Sequence, residues 1–208
     1  MNVLVLGSAG NMGRRYCAIL NFLGVDFVGF DISTGADYGS LRLYEFTHVL
    51  IATPVNTHIG LIFNLHNVVG SILCEKPISI SVDDLLDLQK NQTSVYMVNN
   101  WRFILGVKKL LCPGQNEIAL DYYNTGKDGD WDLIQPIYLS RGMPTIKRKS
   151  PVYDCNVNGT MITQHNFDMS YVAMIRAWLD TPQLMWNLDD AINATKKTIK
   201  YIGRREYA

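Results

Sequence analysis

The sequence predicts an α/β protein with a doubly wound parallel sheet over residues 1–100 and a small α+β domain over residues 101–208. Three observations predict it. The chain opens on an apolar run, Asn2-Val3-Leu4-Val5-Leu6, that breaks into Gly7-Ser8-Ala9-Gly10-Asn11-Met12-Gly13. Short apolar runs then alternate with helix-compatible segments as far as Val98, the order that builds a parallel sheet. Beyond it, segments alternating with period 2 flank a turn-rich stretch, and two long helical segments close the chain.

The first strand ends at Leu6, and the glycine-rich turn opens a helix of about a dozen residues. A second apolar run, Val25 to Phe30, ends on Asp31. A polar, glycine-containing loop runs to about Ser40, and a third strand, His48 to Ala52, stops at Thr53-Pro54. Helical sequence over Thr57–Leu65 leads to a fourth strand, Ser71–Cys74. Ser81, with Asp83 and Asp84 behind it, predicts the N-cap and first turn of a helix over Val82–Lys90. Ser94–Val98 reads as the fifth strand.

In the second half the pattern predicts a helix over Phe103–Leu111 and half-exposed strands over Glu117–Tyr123 and Leu133–Ser140, with the turn-rich Asn124–Asp130 between them. Helices are expected over Gly159–Leu179 and Leu188–Ile202, the second capped by Asn187 or Asp189. A small antiparallel sheet follows from this reading. No internal repeat or low-complexity tract is present.

The opening stretch carries the first chemistry. A strand, a glycine turn, a helix and an acidic residue about 20 positions on, Asp31, form the fingerprint of Rossmann dinucleotide-binding domains. Gly7 and Gly10 lack a Cβ and can take positive φ, which lets the backbone turn tightly and approach a pyrophosphate. Gly13 lets the helix pack closely on the strand. The helix N-terminus, with Ser8, Asn11 and Met12 around it, offers unpaired N–H groups to the phosphates. The spacing is Gly-x-x-Gly-x-x-Gly, with Ser8 where the commoner Gly-x-Gly-x-x-Gly places its first glycine. Asp31 would accept from the adenosine ribose hydroxyls and repel a 2′-phosphate. The expected cofactor is therefore NAD or NADP, with NAD favoured; Ser33 and Thr34 leave room for NADP.

Composition bounds the rest. Of the 208 residues 48% are apolar, enough for a sizeable core. The 19 basic and 19 acidic side chains cancel, which gives no electrostatic case for nucleic acid or an anionic membrane as partner. No apolar run reaches the roughly 18 residues of a membrane span, and no basic region precedes the first strand, so a cytoplasmic location is expected. Cys17, Cys74, Cys112 and Cys155 lack a zinc or redox spacing and read as reduced packing residues; no metal site is expected.

Three further signatures fall where strand ends should meet a cofactor: Ala52-Thr53-Pro54-Val55-Asn56-Thr57-His58, Cys74-Glu75-Lys76-Pro77 and Asn99-Asn100-Trp101-Arg102-Phe103. Together with the glycine turn, this set resembles the Gfo/Idh/MocA oxidoreductase family over roughly residues 1–105. In that family a Rossmann domain carries an Ala-Thr-Pro…His motif and a Glu-Lys-Pro motif, followed by an Arg-Phe pair leading into a second α/β domain. The resemblance implies that Thr53, Pro54 and His58 line the nicotinamide half of the cofactor site. It implies that Glu75 contacts the cofactor, that Asn100 and Arg102 lie on the cofactor side, and that Lys76 stands beside the reacting carbon. A lysine there can hold the substrate oxygen and stabilise developing negative charge.

Family members carry a His-x-x-Asp at the start of a helix in the second domain, and His165 with Asp168 matches it. His165 would take the hydroxyl proton as hydride leaves for the nicotinamide. Two features depart from the family. The aspartate that often stands four residues before that histidine is Met161 here, and only about 105 residues remain for the second domain. A sheet of two or three strands is expected, with a substrate pocket that is shallow, completed by another subunit of a homo-oligomer, or absent.

Among weaker clusters, Lys147-Arg148-Lys149 could grip a substrate phosphate or carboxylate, and Tyr153 and Asp154 could replace the missing aspartate. His48 and His66 read as structural, and Trp178, Met185 and Trp186 as core or subunit contact. The implied activity is hydride transfer between nicotinamide and a carbonyl or secondary alcohol of a small molecule, a sugar or cyclitol derivative. The alternatives are a dinucleotide-binding sensor or partner subunit without chemistry, and an imine or double-bond reductase.

Overall fold

The computed structural model describes residues 1–35, 37–91, 94–104, 110–121, 131–142, 144–147 and 154–205. The chain divides into two units, one of Met1–Val98 with Ile175–Ile192, the other of Asn99–Met174 with Asn193–Ala208. The first therefore includes a C-terminal return that the division at residue 100 left out.

The first unit is a five-stranded parallel sheet in the order β2-β1-β3-β4-β5, built from β1 (Val3–Leu6), β2 (Phe27–Phe30), β3 (His48–Ile51), β4 (Ser71–Cys74) and β5 (Val95–Met97). Val3, Leu4, Val5, Val49, Leu50, Ile51 and Leu73 are fully buried, which is why these strands read as continuous apolar runs. Each such side chain contributes roughly 1.5–3 kcal/mol on burial. The crossovers are α1 (Asn11–Phe22), α2 (Val55–Leu65) and α3 (Val82–Lys90). Ser81 caps α3 by accepting from the Asp84 N–H. Between β2 and β3 the chain makes three short 3₁₀ turns, Ile32–Thr34, Tyr38–Ser40 and Leu43–Glu45, in place of a helix.

The C-terminal return closes this unit. Met97 at the sheet edge donates its N–H to the Trp186 carbonyl at 2.8 Å. Trp178 is fully buried, donates to Ser71 Oγ at 2.8 Å and meets the His48 ring edge-on. Trp178, Met185 and Trp186 are thus core residues. Burial holds the His48 imidazole below its ordinary range.

The second unit holds a four-stranded mixed sheet, β7-β6-β8-β9, of β6 (Ile118–Asp121), β7 (Thr145–Lys147), β8 (Asp154–Val157) and β9 (Thr160–Ile162). Its β6–β7 pair is parallel and its other pairs antiparallel, so the expected two or three antiparallel strands become four with one parallel neighbour. Leu133–Ser140, expected as a strand, is a 3₁₀ turn (Trp131–Leu133) followed by α4 (Ile134–Leu139). Ile134, Gln135, Pro136, Ile137 and Leu139 are all buried there. A segment enclosed on every side shows no helical period, and Pro136 stands in the first turn, where a helix tolerates it and a central strand does not.

The helix expected from Gly159 starts five residues later, as α5 (Gln164–Asp180). Asn158 and Gly159, with φ of 52° and 81°, make the two-residue hairpin between β8 and β9. The helix begins where a reciprocal cap forms: Asn166 N–H donates to Thr163 Oγ1 at 3.1 Å and Thr163 N–H to Asn166 Oδ1 at 3.3 Å. The last helix, α6 (Leu188–Arg205), has the same device at Asn187, whose Oδ1 accepts from the Asp190 N–H at 3.1 Å. Of the expected Phe103–Leu111 helix, residues 105–109 lie outside the described residues, and Asn100–Phe103 is a 3₁₀ turn. The turn-rich 122–130 stretch lies outside them as well. No helix among the described residues is long and apolar enough to cross a membrane.

Candidate functional site

Parallel register brings three sequence motifs to one end of the first sheet. Leu6 pairs with Phe30 on one side and Ile51 on the other, so Gly7, Asp31 and Ala52, the residues that follow, stand side by side beyond the strand ends. In a doubly wound sheet that is where a ligand binds. A cavity of about 350 Å³ opens there, lined by Gly7, Gly10, Asp31, Thr53 and Pro54 among others.

The glycine turn is built for close approach. Gly7 has φ 82°, and a Cβ on it would lie 2.5 Å from the Ala52 carbonyl oxygen. A Cβ on Gly13 would lie 2.0 Å from the Gly7 carbonyl oxygen, so α1 can sit on the turn only with glycine there. Gly10, expected to exploit positive φ, is instead extended, at φ −68° and ψ 168°. Its nearest obstacle to a Cβ is 3.2 Å away, so the protein's own backbone needs glycine less at Gly10 than at its neighbours, and the space gained faces the cavity. Ser8 is accommodated by Gly29 across from it on β2, where a Cβ would come within 3.0 Å of the Ser8 side chain.

The hydrogen bonds of the turn leave the helix end open. Gly7 and Ser8 donate to the Phe30 carbonyl, Ala9 to Asp31 Oδ2 and Gly10 to the Gly7 carbonyl. The N–H groups of Asn11, Met12 and Gly13 belong to the first turn of α1 and have no intrahelical acceptor. Positive potential at this end favours an anion.

Asp31 is fixed in place. Its Oδ1 accepts from the Ser33 hydroxyl at 2.6 Å and the Ser33 N–H at 2.9 Å, and its Oδ2 from the Ala9 N–H at 2.9 Å. The Ser33 hydroxyl first, then the Ser33 N–H and the Ala9 and Gly10 N–H groups, hold the carboxyl below the usual range. A carboxylate oxygen takes two hydrogen bonds, so Oδ2 keeps an acceptor site beside Ala9. Ile32, Tyr38 and Leu61 also line the cavity and escaped the sequence reading. Ile32 is 80% exposed. Tyr38 lies edge-on to Phe30, and burial pushes its phenol up. The apolar side chain directly after Asp31 was the available signal.

The motifs after β3 and β4 take partly different places from those implied. Thr53 and Pro54 line the cavity, and Thr53 Oγ1 lies 2.7 Å from Thr57 Oγ1. His58, expected to line the nicotinamide half, is 1% exposed and not on the cavity wall; Nε2 faces the Thr53 carbonyl at 2.8 Å and Nδ1 the Pro77 carbonyl at 3.0 Å. Glu75 is buried, its Oε1 accepting from the Tyr16 hydroxyl at 2.5 Å and its Oε2 from the Lys76 N–H at 3.0 Å. Lys76 is half-exposed and precedes a cis peptide to Pro77.

In the second unit, Asn100 is 1% exposed and spends its carboxamide on its own core: Nδ2 donates to Ser170 Oγ, and Oδ1 accepts from Gln135 Nε2, both at 3.1 Å. The Arg102 Nε is buried with no hydrogen-bond partner among the described residues. His165 is exposed in the first turn of α5, and Asp168 accepts from Gln164 Nε2 at 3.0 Å. Met161, at the position of the family aspartate, is exposed on β9. Arg148, Lys149 and Tyr153 lie outside the described residues. Lys147 ends β7 and Asp154 begins β8.

A parallel sheet with a glycine turn, an open helix end and a carboxylate at its C-terminal edge defines the class: an α/β protein of Rossmann type with a second α+β unit. No family model and no curated relative matches the sequence. Solved structures do match. One is a Gfo/Idh/MocA family oxidoreductase from Vibrio cholerae, at 13% identity and TM-score 0.72 over 100% of both chains. Another is the WlbA (WbpB) dehydrogenase from Thermus thermophilus in complex with NAD and UDP-GlcNAcA, at 15% and 0.65 over 95% of this chain and 93% of that one. A third is a myo-inositol dehydrogenase from Corynebacterium glutamicum, at 14% and 0.64 over 95% and 94%. The chain has the fold of these Gfo/Idh/MocA-type dehydrogenases.

Proposed function

We propose that the chain is a nicotinamide-dependent oxidoreductase of the Gfo/Idh/MocA family that uses NAD in preference to NADP. One observation carries this reading: the Asp31 carboxylate, fixed by Ser33 and Ala9, lines the same cavity as Gly7 and Gly10 of the turn from which α1 starts. The residues present fit a dinucleotide. The Asn11, Met12 and Gly13 N–H groups would hold the pyrophosphate, Asp31 the adenosine ribose, and Ile32 and Tyr38 the adenine. A second phosphate on that ribose would meet the Asp31 charge.

Nicotinamide, when bound, supplies the hydride acceptor or donor. The chain's own residues do the rest. Lys76 would hold the substrate oxygen and stabilise charge on it; of the second unit's residues, His165 is the candidate for proton exchange. The substrate class is a secondary alcohol or carbonyl on a sugar or cyclitol derivative. Dehydrogenases of UDP-GlcNAcA and myo-inositol type share the fold and support this class.

The test is a fluorescence titration with NADH and NADPH, followed by a panel of sugars, cyclitols and nucleotide sugars watched at the nicotinamide absorbance. Tighter NADH binding with turnover of a panel member is the expected result. Equal affinities overturn the preference, and no binding overturns the reading. Met161 favours a second reading, a dinucleotide-binding sensor, because an exposed methionine cannot replace an acid/base carboxylate. Tight binding with no turnover across the panel would select it.

A further inference from the structure

The carboxylate of the Glu-Lys-Pro motif is occupied inside the protein. Glu75 directs Oε1 to the hydroxyl of Tyr16 and Oε2 to the backbone N–H of Lys76. Tyr16 is fully buried and lies three residues after Gly13, on the same face of α1 and about one turn from the helix's N-terminal N–H groups. We infer that Tyr16 and Glu75 are positioning residues, a strut from the nucleotide helix to the Lys76 backbone that sets the lysine relative to the bound dinucleotide. The inference rests on the proposed reading, in which Lys76 serves the reacting carbon.

Three features support it. Burying a carboxylate is costly, and glutamine or methionine would fill the same volume with less desolvation. A carboxyl group placed there, with both oxygens engaged by Tyr16 and the Lys76 N–H, indicates a task that a filler would not perform. Second, the surroundings are dry: burial and the neighbouring Glu75 charge push the Cys74 thiol well up. Third, the same loop is held from the other side, because His58 on α2 faces both the Pro77 and the Thr53 carbonyls. The backbone on either side of Lys76 is thereby pinned, by Tyr16 through Glu75 and by His58 through Pro77. The lysine side chain itself stays half-exposed. Such an arrangement fixes the backbone from which a flexible amine starts.

The test is Tyr16→Phe, which removes one oxygen and keeps the ring. Amide exchange at Lys76, measured in the protein without substrate, should quicken about tenfold, as for loss of a hydrogen bond to a charged acceptor. The NADH Kd should stay within about twofold, because the phosphate-binding N–H groups are untouched. With substrate, kcat should fall about tenfold at unchanged KM. Glu75→Met, which fills the volume without a hydrogen-bonding group, should reproduce the exchange effect, and adding Tyr16→Phe to it should change little further. Unchanged exchange at Lys76 in Tyr16→Phe overturns the strut, as does faster exchange spread evenly over α1 and β4. If no panel substrate turns over, the exchange measurement decides the strut on its own, while the proposed function fails separately.

Discussion

Two alanine substitutions in the glycine turn separate what the fold needs from what the ligand needs. In Gly13→Ala the new Cβ would lie 2.0 Å from the Gly7 carbonyl oxygen and 2.8 Å from the Ser8 Cα. Both obstacles are backbone, so α1 must move off the turn. Overpacking of this kind costs roughly 1–3 kcal/mol, and a backbone obstacle that cannot rotate away places it at the upper end. Alanine returns about 1 kcal/mol of helix propensity, which leaves a net loss of about 2 kcal/mol. For a chain of this size that lowers Tm by roughly 4–8 °C. In Gly10→Ala the φ of −68° suits alanine and the nearest atom, the Gly7 carbonyl oxygen at 3.2 Å, need give only by a few tenths of an ångström, so the loss should be smaller than in Gly13→Ala, about 1 kcal/mol or less. The methyl group instead enters the space over the pyrophosphate site, and the NADH Kd should rise about tenfold or more. Thermal denaturation and NADH titration of both variants provide the assay. Gly10→Ala binding NADH as tightly as the parent would refute the ligand role of that glycine. Gly13→Ala as stable as the parent would refute the packing argument.

Other outcomes follow from the same geometry. Lys76→Ala should bind NADH within about threefold of the parent and lose roughly 10²–10³ in kcat, read by single-turnover absorbance. His58→Ala removes the buried imidazole that stands between the Thr53 and Pro77 carbonyls, and denaturant unfolding should show a loss of roughly 2–3 kcal/mol with the slope unchanged. Asp31 has its folded pKa lowered, so its ionised form contributes stability that is full above the unfolded value near 4 and fades as pH falls through the folded one. Asp31→Asn should therefore be less stable than the parent at pH 7 and approach it at pH 3 in urea titrations. An offset that does not shrink with acid would count against the Ser33 and Ala9 bonds as its source.

The first unit was legible because its signals are local. Strands buried on both faces must be continuous apolar runs, and Ser81 or Asn187 announces a helix from a single position. Asp31 was legible through its distance from the glycine turn alone. In the second unit the signals conflict. Leu133–Ser140 alternates apolar and polar residues like a strand, yet Pro136 and burial of the whole segment make it helical. Asn158-Gly159 is a strong short hairpin signal in that half, and polar and apolar residues alternate on both sides of it, a strand period where a helix is expected from Gly159. The Thr163 and Asn166 cap sits three residues beyond the hairpin and marks the true start.

A motif names residue types, whereas a site depends on where their polar atoms are spent. Thr53, Pro54 and Asp31 line the cavity, as strand-end positions in a parallel register must. His58 and Glu75 belong to the same motifs, but both are buried, and each divides its two polar atoms between partners that hold the Lys76 loop. The Tyr16 hydroxyl, 59 positions from Glu75, decides this, and no local pattern could have announced a contact at that separation. The motif is thus better read as one half-exposed lysine with two buried braces than as three ligand contacts. A brace tolerates any substitution that keeps its hydrogen bonds, while a contact tolerates only what keeps its ligand. Tyr16→Phe therefore tests the division more sharply than removal of Glu75 itself, because it alters a residue that no motif includes.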